Sequence, residues 1–305
     1  MVELMIALSI FMLITGAVFS LYINSNRSYN EDEIYSRMQE NGRYAINRLA
    51  EDLRMSDFWG EMIDPVAITG GAFGVDCTLG LGTTDEGLVY YDYTAPGAFD
   101  PSGCSIMASD PDGDGDTDMK ANTNAVGIKR VSNGYYDPVK YAGVHLWTNG
   151  YAGAFQTKAV NDTTSDPNFQ YWLYVPALYF IKDDDGTPYL CRAALNGGNA
   201  LQDIGEAEDD CIAEGVEQLH IEFGMDDDGD GIADQYRNDT LEDAVTARVY
   251  LLVRSDRAVP SYVNDKTYTL GTLATMGPFN DSFYRRVFST TVVLRNPRAL
   301  AKLGL

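Results

Sequence analysis

Proline is missing from the first 64 residues of this 305-residue chain, and charge is missing from Met1 to Ile23 apart from Glu3. The first absence removes the residue that most often breaks a helix. The second excludes a solvated surface helix there. Runs such as Leu4-Met5-Ile6-Ala7-Leu8 and Ile10-Phe11-Met12-Leu13-Ile14 fill the segment, and about 20 apolar residues suffice to cross a bilayer core of about 30 Å. A cleaved signal peptide would show a basic n-region, a shorter apolar run and a small-residue cleavage site, and none is found.

Basic residues are also scarce. The chain has 22 Lys+Arg against 45 Asp+Glu, a net charge of −23, and residues 61–305 hold 17 and 37 of them. Such a surface repels phosphate backbones, which excludes direct nucleic-acid binding, and it suits divalent cations and an extracytoplasmic setting. Only two histidines occur, His145 and His220, both within strand-like runs. The four cysteines, Cys77, Cys104, Cys191 and Cys211, lack the spacing of common zinc sites. In an oxidising compartment they are expected as disulfides. Three pairings are open, and the nearest-neighbour one joins Cys77 to Cys104 and Cys191 to Cys211. G-x-S-x-G, Walker and H-E-x-x-H patterns are absent, so nothing in the sequence points to catalysis.

What is present begins with the helix. Residues 1–58 read as one continuous helix of roughly 85 Å, far longer than a membrane is thick. After Asn24-Ser25-Asn26-Arg27 its character changes. Ile34, Met38, Ala45, Leu49 and Leu53 recur at near-helical spacing among charged residues, an amphipathic stripe able to cradle a sheet, with Gly60 as the expected stop. Residues 59–305 read as a β-rich globular domain. Strands are expected at Leu88–Tyr93, Val126–Val131, Tyr141–Trp147, Tyr171–Lys182 (interrupted by Pro176), Pro188–Ala193, Val216–Phe223, Val245–Arg254 and Arg286–Leu294. The seventh alternates Val245, Ala247, Val249, Leu251 and Val253 with Thr246, Arg248 and Tyr250, the period of a two-faced strand. Tyr171-Trp172-Leu173-Tyr174 reads as core rather than as a sugar platform.

The segment Val2-Glu3-Leu4-Met5-Ile6-Ala7-Leu8 resembles the N-terminal signature of type IV pilins and pseudopilins. That resemblance implies that Glu3, costly near a bilayer centre, neutralises the N-terminal amine of a neighbouring subunit during assembly. The glutamate stands third rather than fifth, and family leader residues are expected to precede Met1. Three further stretches are similar to PilW-type minor pilins: Gln39–Ala45 with Leu49–Met55, the strand opening Gly215-Val216-Glu217, and Arg285–Asn296. The likeness implies an α+β fold, a long N-terminal helix with a membrane-spanning first half packed on an antiparallel β-rich pilin-type domain. It also implies a minor pilin that primes or caps a type IV pilus. Its partners would be other major and minor pilin subunits, the inner membrane before assembly, and a tip adhesin. The domain would be periplasmic and then extracellular. A type II secretion pseudopilin, a main filament subunit, or an adhesive module displayed on a pilin helix are the alternatives.

Two aspartate runs fit D-x-D-x-D-G-x-x-D, the front of an EF-hand-like calcium loop. In the first, Asp110, Asp112, Asp114 and Asp118 are the carboxylate ligands, and Asp116 offers the position-7 carbonyl. In the second, the carboxylates are Asp226, Asp228, Asp230 and Asp234, and Ile232 holds position 7. Position 12 is Ala121 or Arg237 instead of glutamate, so another acid, such as Asp239 or Glu242, must complete the shell. Weak Ca2+ sites are expected, on the order of 10⁻⁴–10⁻³ M. Asp183-Asp184-Asp185-Gly186 is expected to be a simple turn.

Overall fold

The computed structural model describes residues 2–62, 68–69, 87–92, 119–120, 122–135, 143–158, 168–194, 211–238, 241, 244–260, 262–272 and 274–294. Among them one helix, α1 (Val2–Arg54), precedes fifteen strands. They are β1 (Ile68–Thr69), β2 (Leu88–Tyr91), β3 (Ala125–Ile128), β4 (Gly143–Thr148), β5 (Gly153–Lys158), β6 (Gln170–Leu173), β7 (Ala177–Asp184) and β8 (Thr187–Ala194). There follow β9 (Cys211–Glu214), β10 (Val216–Met225), β11 (Gln235–Arg237), β12 (Ala244–Arg254), β13 (Tyr268–Leu270), β14 (Ala274–Met276) and β15 (Arg285–Val293). Every pairing is antiparallel except β1 with β5. The expected α+β arrangement of a long helix on an antiparallel sheet is what forms.

α1 has two environments. From Val2 to Asn30 its residues are exposed, whereas Ile34, Met38, Ala45, Leu49 and Leu53 are all buried. The apolar stripe thus covers the sheet as its spacing predicts. The helix ends at Arg54, four residues short of the expected Phe58. Ser56 N–H bonds the Leu53 carbonyl, tightening the last turn, and Asp57 adopts φ 59° and donates its N–H to Lys129 O. The chain leaves the helix there to pair beside β3 and to bury Trp59.

Two sheets meet through one bent strand. β9 closes the order β2-β3-β7-β8-β9, and β10 belongs to β11-β10-β12-β15. Only Gly215 separates β9 from β10; its φ is +86°, and a Cβ there would lie 2.4 Å from Arg254 O. The bend lets both sheets wrap α1, whose stripe shares one core with β7, β10 and β12 residues such as Tyr179, Phe223 and Val249. A third sheet, β1-β5-β4-β6, has a separate aromatic core of Trp59, Phe155, Trp172 and Tyr174. The run Tyr171–Lys182 is therefore not one strand. It divides before Pro176 into β6 and β7, which join different sheets, because proline has no N–H for a ladder. Tyr171, Trp172 and Tyr174 are buried, as a core reading requires.

Asp185 and Gly186, with φ of 47° and 80°, turn β7 into β8. Two successive left-handed residues in a two-residue loop are the signature of a type I′ turn. The run Asp183–Gly186 is thus a hairpin turn.

Candidate functional site

The second aspartate loop joins β10 to β11 and folds around its own carboxylates. Asp226 accepts the N–H groups of Gly229 at 2.8 Å, Asp230 at 3.1 Å and Gly231 at 2.9 Å. Asp230 accepts Ile232 N–H at 2.8 Å, and Asp234 accepts Asp227 N–H at 2.9 Å. Gly229 and Gly231, at φ 81° and 84°, permit the tight path. The result brings one carboxylate oxygen each of Asp226, Asp228 and Asp234 within 4.8 Å of one another. At Asp228 the bond from Asp230 N–H favours ionisation, but the carboxylates of Asp230, Asp234 and Asp226 outweigh it and raise its pKa. Hard, anionic oxygens of this kind suit Ca2+, which takes six to eight.

Asp230 stands outside that group of three, and the Ile232 side chain is exposed. Arg237, at position 12, points to Asp227, 3.4 Å away, and so supplies no ligand. The first loop with Asp110, Asp112, Asp114, Asp116 and Asp118, the acids Asp239 and Glu242, and Cys77 and Cys104 lie outside the described residues. Cys191 and Cys211 form a disulfide between paired positions of β8 and β9.

Glu3 lies on the exposed part of α1. Residues such as Leu4, Phe11, Leu13 and Phe19 are each more than 60% exposed, so the domain covers nothing of this apolar surface. The segment is long and apolar enough to cross a membrane.

Two ionic clusters fix this helix and sheet. Asp52, 2% exposed, accepts hydrogen bonds from Arg130 at 2.9 Å, Arg192 at 2.9 Å and the Tyr179 hydroxyl at 2.6 Å. Burial alone would raise the Asp52 pKa, but the Tyr179 hydroxyl and the two guanidiniums outweigh it and hold it below the ordinary carboxylate value. The second cluster joins Glu217 of β10 to Arg285 of β15, whose Nε and Nη2 donate to its carboxylate at 2.5 and 2.8 Å, while Nη1 and the shared Nη2 donate to Asp281 at 2.6 and 2.7 Å. Asp52 is one of the charged residues interspersed with the apolar stripe of α1, yet it is buried. Its position seven residues after Ala45 and three after Leu49, on the stripe itself, was the available signal. His145 and His220 are buried within β4 and β10, and burial lowers the pKa of His220.

The sheet that carries the second aspartate loop and the Glu217–Arg285 pair is also where a known family is found. Residues 178–296 match the PilW family model, type IV pilus-assembly protein W. The match runs from β7 through β15 and so takes in the disulfide, the bent strand and both halves of that ion pair. A solved structure of a type IV-like pilin from Thermus thermophilus also aligns, at 12% identity over 58% of this chain and 81% of that one, with a TM-score of 0.27. No curated protein matches the chain in sequence.

Proposed function

We propose that this chain is a minor subunit of a type IV pilus, inserted in the membrane through the first half of α1 and acting where a filament starts or is capped. The reading rests on one conjunction. The PilW match covers the sheet that grips the distal half of α1, while the proximal half is an apolar helix that its own domain leaves bare. A helix held so firmly at one end and uncovered at the other is suited to packing among other subunits' helices. Glu3 would supply the charge that another subunit's N-terminal amine satisfies.

The test is a Glu3→Ala chain expressed in cells that make the pilus. Removing an intramembrane carboxylate eases residence in lipid, so the variant should stay in the membrane fraction and be depleted from sheared filaments. Normal incorporation would sink the assembly role of Glu3. Immunogold label confined to filament tips is the expected pattern; label along the whole length would make the chain a main subunit instead.

The second aspartate loop adds a cofactor to this reading. Asp226, Asp228 and Asp234 would hold Ca2+ at the rim of the sheet, with backbone carbonyls and water completing the shell. Such an ion would lock the β10–β11 hairpin and neutralise part of a strongly acidic surface.

A further inference from the structure

The chain that leaves β12 runs down the side of α1. Asp256 meets Arg37 at 3.7 Å, Arg257 meets Glu33 at 3.7 Å, and the Pro260 carbonyl accepts Arg27 Nη2 at 3.2 Å. The contact points on the helix thus step from residue 37 to 33 to 27, a descent of about 15 Å toward the apolar half. There the chain turns back. Tyr262 N–H bonds the Val259 carbonyl at 3.2 Å, while Val259 N–H and Asn264 N–H bond Ser282 O and Asp281 O, both at 2.7 Å. The turn is anchored through Val259, which is buried, whereas Ala258, Pro260 and Val263 stay exposed, the last at 61%.

Helix geometry sets how far this turn stands from a bilayer. Val2–Ile23 rises about 33 Å, enough to fill a core of about 30 Å. Arg27 then lies about 6 Å beyond the apolar segment, within a headgroup layer of roughly 5–7 Å on each side. Its hydrogen bond brings the Pro260 turn to the same layer. Charge agrees with that placement. Of the 45 Asp+Glu in the chain, none falls at 24–30 of α1 or at 257–264 of the turn, and the charges there are Arg27 and Arg257. The acids that face these arginines, Glu31 on Arg27 and Glu33 on Arg257, stand one turn and nearly two turns farther from the apolar segment. Asp256 and Asp265 flank the stretch, and Asp281, which meets Asn264 through its backbone, has its carboxylate held by Arg285. Tyr22 and Tyr29 are exposed on α1 at this level, and tyrosine is enriched where lipid meets water.

We propose that the turn at Val259–Val263 is a foot set among the lipid headgroups, a role that rests on the reading of α1 as a membrane-spanning helix. Pro260 and Val263 lie in the headgroup layer, and Arg27 faces the lipid phosphates while it holds the Pro260 carbonyl. Attached to the bilayer both through α1 and through this turn, the domain keeps one tilt against the membrane surface. The second contact is given up when the chain leaves lipid for a filament.

The test uses the full chain in vesicles of phosphatidylcholine and phosphatidylglycerol, with and without a phosphatidylcholine that bears a nitroxide on its headgroup. Added tryptophans are read above the background of Trp59, Trp147 and Trp172. Val263→Trp probes the turn, and Tyr22→Trp probes the end of the apolar segment. Tyr151→Trp is the distant control, since its neighbour Gly150 lies against Glu61 O, beyond the other end of α1. The nitroxide lipid should quench Val263→Trp and Tyr22→Trp and leave Tyr151→Trp unchanged. Pro260→Glu, which puts a carboxylate beside anionic phosphates, should reduce the quenching of Val263→Trp while the melting temperature stays near that of the parent. Quenching at Tyr22→Trp without quenching at Val263→Trp overturns the foot and leaves the spanning helix standing, whereas quenching at neither overturns both. Quenching of Val263→Trp that Pro260→Glu leaves unchanged also overturns the proposal. Emission at Val263→Trp that responds to protein density in the vesicle but not to the nitroxide would make a neighbouring subunit the occupant and overturn it equally.

Discussion

Asp52 shows how one side chain can tie a helix to a sheet. Its partners come from after β3 and from β7 and β8, and the two guanidiniums are only 14% and 15% exposed. Neutralising the carboxylate would strand two buried cations. Asp52→Asn is expected to cost about 3–5 kcal/mol, the usual penalty for breaking a buried pair, read as a lower urea midpoint at unchanged slope. A loss under about 1 kcal/mol would mean that Tyr179 and water can hold the arginines without it. The pH dependence follows from the same contacts. A carboxylate depressed in the folded state below its ordinary 3.8 contributes stability that is fully present above that value and is lost as pH falls through the folded pKa. Asp281, likewise lowered, first of all by its hydrogen bonds to Arg285, adds to the same acid limb. Thermal melts of the parent should therefore fall steeply below about pH 4, and Asp52→Asn should flatten part of that descent. Parallel acid limbs in the two proteins would refute the assignment.

Among the elements, the strand bent at Gly215 carries most consequence. One continuous segment leaves β8 and joins β12, and a left-handed residue at the junction is what permits it. Gly215→Ala would force a side chain into φ +86° with its Cβ against Arg254 O. Strain of this kind costs about 1–3 kcal/mol before the carbonyl moves. Urea unfolding should show at least that loss, whereas an equal midpoint would mean the bend adapts freely. The Cys191–Cys211 bond ties β9, the first half of that bent strand, to β8 and spans 20 residues. On the loop-entropy view it contributes about 3 kcal/mol, and reduction should lower the melting temperature of the parent more than that of a Cys191→Ser, Cys211→Ser chain.

For the whole molecule, a net charge of −23 makes the surface self-repelling. Calcium bound at the second loop would relieve part of it, and binding to the native state alone adds RT ln(1 + [L]/Kd), about 1.4 kcal/mol at tenfold excess over Kd. The full chain should melt higher in millimolar calcium than in chelator, with magnesium a poor substitute because it demands near-octahedral geometry. Asp226→Asn with Asp228→Asn should remove the second loop's share, whereas Asp230→Asn should remove less, since Asp230 stands apart from the other three. Equal shifts with magnesium, or none with either ion, would leave the loop an acidic turn.

The long helix, its change from a bare apolar half to a gripping half, the two-faced β12 and the turn at Asp185-Gly186 can all be read from the order of residues. Each is written in local periodicity or local turn chemistry, which neighbours within a few residues decide. Tertiary structure alone decided the rest. Asp52 is buried because partners 78, 127 and 140 residues away arrive with two charges and a hydroxyl. The run around Pro176 splits between two sheets because separate cores claim its halves, and three aspartates of the second loop converge while Arg237 turns to Asp227. The place of β15 at the end of its sheet among the described strands is fixed by which strands pair across long stretches of chain rather than by the order of residues within any one of them.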